Sequence, residues 1–183
     1  QLQAYLDEKG VYISAPPPRF SIKEVGAADV AAALNRCLED LDPSRPIRIV
    51  NGGLETLIVP MKGLASILSV TPDLQTLNAF CLRIGIDIVL LYSSEVAFPE
   101  NRYRTRVFAP PYGYLEDPAT GSGNSAFGYY LLEHGMWKGD KITIEQNGLR
   151  DAPNLIRIFS PKTGAGDSRV WFGGGSIVRI DGQ

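Results

Sequence analysis

One segment limits the fold more than any other: EDPATGSGNSAFGYYLLEHG, residues 116–135. Between Asn124 and Glu133, Phe127, Tyr130, Leu131 and the neighbouring Leu132 form a broad apolar stripe. A helix with such a stripe is expected to be well buried. Gly128 allows a strand to approach its backbone closely, and Gly135 supplies the left-handed residue that closes it.

The remainder of the chain reads mainly as short strands. GVYISA (10–15) is a strand ended by Pro16-Pro17-Pro18, and Ile47 to Val50 is a β-branched run. The turn Asn51-Gly52-Gly53 leads into LETLIVP (54–60). IDIVLLY (86–92) is apolar enough to be a central strand, and YRTRVF (103–108) alternates like a strand with one wet face. KITIEQ (141–146), NLIRIFS (154–160) and Arg169 to Phe172 follow, with Gly173-Gly174-Gly175 breaking the last strand before it resumes from Ser176 to Ile180. Helical periodicity marks Ala27 to Leu41 through Val30, Leu34, Cys37, Leu38 and Leu41. A second helix is expected from Asp73 to Ile84, with Thr71 as cap and Pro72 in its first turn, and a short one from Gly63 to Leu68. Hairpin-like order without regular βαβ alternation predicts an α+β fold with mainly antiparallel pairing.

Length and charge narrow the function. The chain has 183 residues, enough for one domain with a real core, and a net charge of −2 without any basic run. That argues against nucleic acid as a partner. No apolar run approaches a membrane span, and no basic-then-apolar leader opens the sequence, so a cytoplasmic protein with no membrane partner is expected. Cys37 and Cys81 sit in apolar helix-like segments and read as buried structural thiols. The single histidine, His134, is far from both in sequence. No metal site and no cofactor are expected.

The first turn of the helix after Thr120 offers the sharpest chemical signal. Its backbone N–H groups have no partners within the helix and carry the positive end of the helix dipole. Gly121, Ser122 and Gly123 keep that end sterically open, while Thr120 and Ser122 add hydroxyls. A carboxylate or phosphate could dock there. Asp117 can reach the same place if the chain turns at Pro118. The plainer alternative is a capped helix with no ligand. Other motifs fail. A nucleophile elbow would need glycines where Thr120 and Asn124 stand, and no phosphate-loop G-K-[ST] run exists. His134 lies at the far end of the same helix, roughly 18 Å from Ser122 at 1.5 Å per residue, too distant to activate it.

RVFAPPYGYLEDPATGSGNSAFGYYLLEHG (106–135) resembles the signature segment of the PhzF-like family, whose members share the diaminopimelate epimerase fold. Arg106, Phe108, Ala109, Pro110, Gly113 and the run Glu116 to Ser122 stand in the family's order. ITIEQNG (142–148), VWFGGGSIVRIDG (170–182) and NGGLETLIVP (51–60) resemble further family segments, so the likeness runs from about residue 10 onward. It implies a mainly antiparallel, rolled, barrel-like sheet around a central helix, forming one of two similar halves with the active site between them. Residues 1–183 are then expected to be a single domain equivalent to the C-terminal half, with 173–183 pairing with an N-terminal half.

The resemblance further implies a cofactor-independent isomerase or epimerase acting on a small carboxylate. Thr120, Gly121, Ser122 and Gly123 would bind the carboxylate, and Asp117 would act as an auxiliary acid/base or hydrogen-bonding group. In diaminopimelate epimerase a cysteine sits at each helix mouth. Thr120 stands at that position here, so two-thiol chemistry does not carry over. The family's catalytic glutamate motif and its histidine-containing glycine segment do not occur in these residues. Glu55-Thr56 resembles the glutamate motif only superficially, since it lies in the strand LETLIVP. Arg150 to Asn154 also departs from the family's usual G-R-P-S element. The expected partner is a second copy, as in a dimer, or a missing N-terminal half. The alternative function is a non-catalytic anion-binding or assembly module that pairs with another chain.

Overall fold

The computed structural model describes residues 3–7, 10–161 and 169–175. The fold is mixed α+β. In chain order its elements are β1 (Ala4–Asp7), β2 (Gly10–Ser14), β3 (Arg19–Phe20), α1 (Ala27–Ala33), β4 (Arg48–Asn51), β5 (Glu55–Pro60), α2 (Leu64–Leu68) and α3 (Leu74–Ile84). Then come β6 (Ile88–Ser93), β7 (Tyr103–Phe108), β8 (Glu116–Asp117), α4 (Gly121–Glu133), β9 (Ile142–Gln146), β10 (Asn154–Phe159) and β11 (Trp171–Gly174).

All eleven strands join one sheet, in the order β1-β2-β11-β10-β9-β7-β6-β5-β4-β3, with the short β8 paired to β7. Pairing is antiparallel except for β5 with β6 and β7 with β9. The ends, β1 and β3, do not pair with each other among the described residues, so the sheet is open and not a closed barrel. The helix α4 packs against β4, β5 and β6 on one side of β7 and against β10 and β11 on the other.

The period-two geometry of strands sorts the core into two layers. Leu57 and Val59 of β5, Val89 and Leu91 of β6, and Phe108 of β7 pack with residues of α1, α2 and α3. Their alternates, Ile58, Ile88, Leu90, Tyr92 and Val107, pack with Ala126, Phe127, Tyr130 and Leu131 of α4. The middle of the sheet is therefore buried on both faces. Gly128 makes the close approach that its sequence context suggests: a Cβ there would stand 2.9 Å from Val170 and 3.2 Å from Ile158.

Several sequence expectations are corrected. The helix begun at Ala27 stops at Ala33, because Asn35 takes a left-handed conformation (φ 53°), and only a 3₁₀ turn follows at Leu38–Asp40. Cys37 is consequently exposed, while Cys81 is buried as expected. Burial pushes the Cys81 thiol up to about 12. The cap of α3 is Asp73, whose side chain accepts from the Thr76 amide at 2.8 Å, and not Thr71. The strand β7 has no wet face, since all six of its residues are buried. The last strand continues into the glycines, with Gly173 opposite Tyr12 and Arg157, and Gly174 opposite Val11. The continuation expected at 176–180, and the pairing expected of residues 176–183, lie outside the described residues. Among the described residues no helix is long and apolar enough to cross a membrane.

Candidate active site

The site lies at the N-terminus of α4. Thr120 is its cap residue, in extended conformation, followed by Gly121, Ser122 and Gly123 as the first turn. The amides of those three residues have no hydrogen-bond partner among the described residues. Beside them the groups of Thr120, Asn124 and Gln146 are hydrogen-bonded to one another.

Beneath the mouth lies Gln146, the buried last residue of β9. Its Oε1 accepts from the Thr120 amide (3.1 Å) and from Asn124 Nδ2 (2.6 Å). Its Nε2 donates to the Asp117 carbonyl (2.7 Å) and to Thr120 Oγ1 (3.1 Å). One amide group thus ties β8, the helix cap and the helix's own first turn together. Asn124 also donates to the Thr120 carbonyl at 2.8 Å. The Thr120 hydroxyl belongs to this inner network, which leaves Ser122, half-buried, as the hydroxyl nearest the surface of the mouth.

Asp117 lies on β8, which pairs it with Val107 of β7. Its Oδ1 accepts from the Ala119 amide at 3.1 Å, making the turn that leads into Thr120. The adjacent Glu116 does a different job. It holds Arg106 in a bidentate pair at 2.9 and 2.8 Å. The same guanidinium donates to the Ile67 and Val70 carbonyls at the end of α2. Glu116 therefore anchors the approach to the site and is spent in doing so.

The walls come from distant parts of the chain. The hairpin tip between β4 and β5 rests on the first turn of α4, where Ser125 Oγ donates to the Gly52 carbonyl at 2.9 Å. Gly52 must be glycine here, because a Cβ would lie 2.8 Å from the Ala126 amide nitrogen. On the other side, the Phe172 ring of β11 occupies the space a side chain on Gly121 would need. Glu55, at the base of the hairpin, accepts from Asn51 Nδ2 at 2.7 Å and faces Arg19 at 3.5 Å. It is half-buried and engaged.

A second buried network stiffens the strands that carry the site. Arg104 of β7 and Glu145 of β9 are fully buried and paired at 3.1 Å. Glu145 also accepts from the Ala97 and Phe98 amides (2.9 and 2.8 Å) and from Asn101 Nδ2 (3.0 Å). Burial alone would raise its carboxyl. The donors Asn101, Ala97, Phe98 and Arg104 outweigh that and hold it below the usual range. Arg104 further donates to the Asn147 and Leu149 carbonyls, both at 2.7 Å, fixing the loop after Gln146. Sequence reasoning missed both networks. The adjacent Glu145 and Gln146 read as an ordinary strand end, and only the burial of both strand faces makes them structural. His134, as expected, sits at the opposite end of α4, against the Tyr130 ring at 4.5 Å. Burial shifts its imidazole downward. No cluster of metal-binding side chains exists among the described residues.

The fold is shared with solved structures. A phenazine biosynthesis protein of the PhzF family from Bacillus anthracis superposes with a TM-score of 0.82, covering 95% of this chain and 61% of that one at 20% identity. The chain belongs to the phenazine biosynthesis-like protein family, whose model matches residues 2–182. The match takes in residues ahead of position 10 and runs through nearly the whole chain, so it does not single out a C-terminal half.

An uncharacterized isomerase of Salmonella typhimurium is 27% identical over 150 residues, which are 81% of this chain and 50% of that protein. Trans-2,3-dihydro-3-hydroxyanthranilate isomerase of Pseudomonas chlororaphis is 30% identical over 147 residues, 75% of this chain and 49% of that protein. The chain thus spans about half the length of these bacterial relatives. An uncharacterized isomerase of Schizosaccharomyces pombe, 25% identical, is by contrast covered over 89% of its length.

Proposed function

We propose that the chain forms one wall of an isomerase site that moves a proton on a small carboxylate substrate without a cofactor. The single observation that carries this is the set of amides at Gly121, Ser122 and Gly123 that have no partner among the described residues. Amides held in place before the substrate arrives stabilise a carboxylate and the charge that builds on it when the adjacent C–H is deprotonated. Ser122 adds a hydroxyl, and Asp117 orients a substrate hydroxyl or amine, or assists the proton transfer. Thr120 shapes the mouth from within.

The main base, in this reading, is a glutamate outside these 183 residues, supplied by a further segment that faces the mouth. Two facts support it. Glu116 and Glu55 are both tied to arginines. The chain also spans only about half of its bacterial relatives. A second copy is the simplest partner, and sedimentation showing only monomer would remove it.

The substrate tested first is trans-2,3-dihydro-3-hydroxyanthranilate, on which the Pseudomonas relative acts by name. Turnover is followed for the chain alone and for any longer protein that contains it. Asp117→Asn and Ser122→Ala are expected to lower kcat, each by about tenfold or more, with unfolding unchanged. Unchanged turnover in both variants would refute the assignment. A chain that binds a carboxylate at the mouth but turns over nothing, alone or in the longer protein, would make it the non-catalytic module instead.

A further inference from the structure

We propose a second ligand site, in a cleft near the C-terminal end of α4, that binds a phosphomonoester with an apolar body. Two cavities adjoin there, of about 670 and about 270 Å³, sharing Asp42, Arg45 and Lys62 as common wall. Their sizes fall in or near the range of small-molecule sites. None of the mouth residues lines either cavity.

The charge is distributed unevenly. The smaller cavity is lined by three cations, Arg45, Lys62 and Arg102, against one carboxylate, Asp42. Asp42 is already engaged locally, accepting from the Ser44 amide (2.9 Å) and the Ser44 hydroxyl (2.7 Å). None of the three cations makes an ion pair among the described residues, although other arginines of the chain do. Arg102 lies over the Tyr103 ring at 5.8 Å, and Arg102 and Arg45 both act on the Tyr103 hydroxyl. The floor consists of the buried Met61, Tyr92 and Tyr103.

Three unpaired cations over a rigid floor match a dianion better than a monoanion. Two of them are arginines, whose planar forks suit phosphate oxygens. The helix end nearby opposes an anion less than a frayed one would, because Leu131 accepts from the Met136 amide and Leu132 from the Gly135 amide. The larger cavity supplies the other half of the ligand's environment. Val25, Leu41, Pro46 and Ile47 give it apolar surface, while Glu24, Glu39 and Arg48 on its walls leave the smaller cavity as the more cationic of the two. The mouth of α4 is roughly 20 Å away along a helix of this length, so this site is separate from the isomerase site.

The test is calorimetric titration of the 183-residue chain with phenyl phosphate, inorganic phosphate and benzoate at constant ionic strength. Phenyl phosphate is expected to bind more tightly than inorganic phosphate, and benzoate about tenfold or more weaker than phenyl phosphate. Arg102→Gln and Lys62→Gln, both at exposed positions, are each expected to weaken phenyl phosphate about tenfold, whereas Arg83→Gln on α3 leaves it unchanged. Thermal unfolding of each variant verifies that it is folded. Three results would overturn the proposal: no saturable binding up to about 10 mM, equal binding of benzoate and phenyl phosphate, or equal losses in Arg83→Gln and Arg102→Gln. Arg45→Gln provides an independent variant if either of the first two fails to fold.

Discussion

Replacing Gln146 with leucine tests whether the site is held from beneath. The side chain makes four hydrogen bonds, two accepted and two donated, and is fully buried. Leucine is one atom shorter and has no polar atoms. The Thr120 amide then has no partner, and Asn124 Nδ2 keeps only its bond to the Thr120 carbonyl. The Asp117 carbonyl, in a half-buried strand, can turn to water. One buried donor left unsatisfied, plus part of another, costs about 1–3 kcal/mol each, and the added apolar burial offsets part of that. The net expectation is a loss of about 3 kcal/mol. Urea denaturation followed by tryptophan fluorescence measures it. The companion Gln146→Glu retains both accepted bonds and places a negative charge below the mouth. The helix N-terminus favours that charge, but a carboxylate oxygen then replaces the donor that faces the Asp117 carbonyl at 2.7 Å, so this variant too should lose about 1–3 kcal/mol and bind a carboxylate more weakly. If Gln146→Leu loses under about 1 kcal/mol, the four bonds do not support the mouth and the reasoning fails.

Other outcomes follow from the same geometry. Arg104→Met leaves Glu145 with only Asn101 and the two amides; a loss of about 3 kcal/mol is expected in the same denaturation assay. Glu145 sits below its ordinary value of 4.5 in the folded protein, so its contribution is complete above that pH and declines as pH falls through the lowered folded value. The thermal midpoint should therefore drop in acid below about 4.5, and Glu145→Gln should flatten that part of the profile at some cost in stability. Gly121→Ala forces its methyl group against the Phe172 ring. It should cost about 1–3 kcal/mol, and Phe172→Leu in the same protein should recover part of that loss.

Much of the scaffold was legible in order along the chain. Pro72 ahead of an apolar, helix-like segment marked α3, and the turn at Gly52-Gly53 marked the hairpin that rests on α4. The stripe on α4 announced its burial. The alternation of YRTRVF pointed the wrong way, because charge on alternate residues looks the same whether it meets water or buried partners. Arg104 meets Glu145 across a parallel pairing of strands about forty residues apart, and Arg106 meets the end of α2. Neither partner is local, so no window of sequence contains both sides of the interaction.

The sequence by itself determined the helix, its small-residue mouth and the family to which they belong, because these depend on residue types at fixed local spacing. Only the tertiary structure decided which groups at the mouth remain available. It placed Gln146 under Thr120, spent Glu116 on Arg106, set Phe172 over Gly121, and left the amides of Gly121, Ser122 and Gly123 without a described partner. A hydrogen bond is satisfied or left open by what the fold brings within about 3 Å, and that is settled by long-range packing.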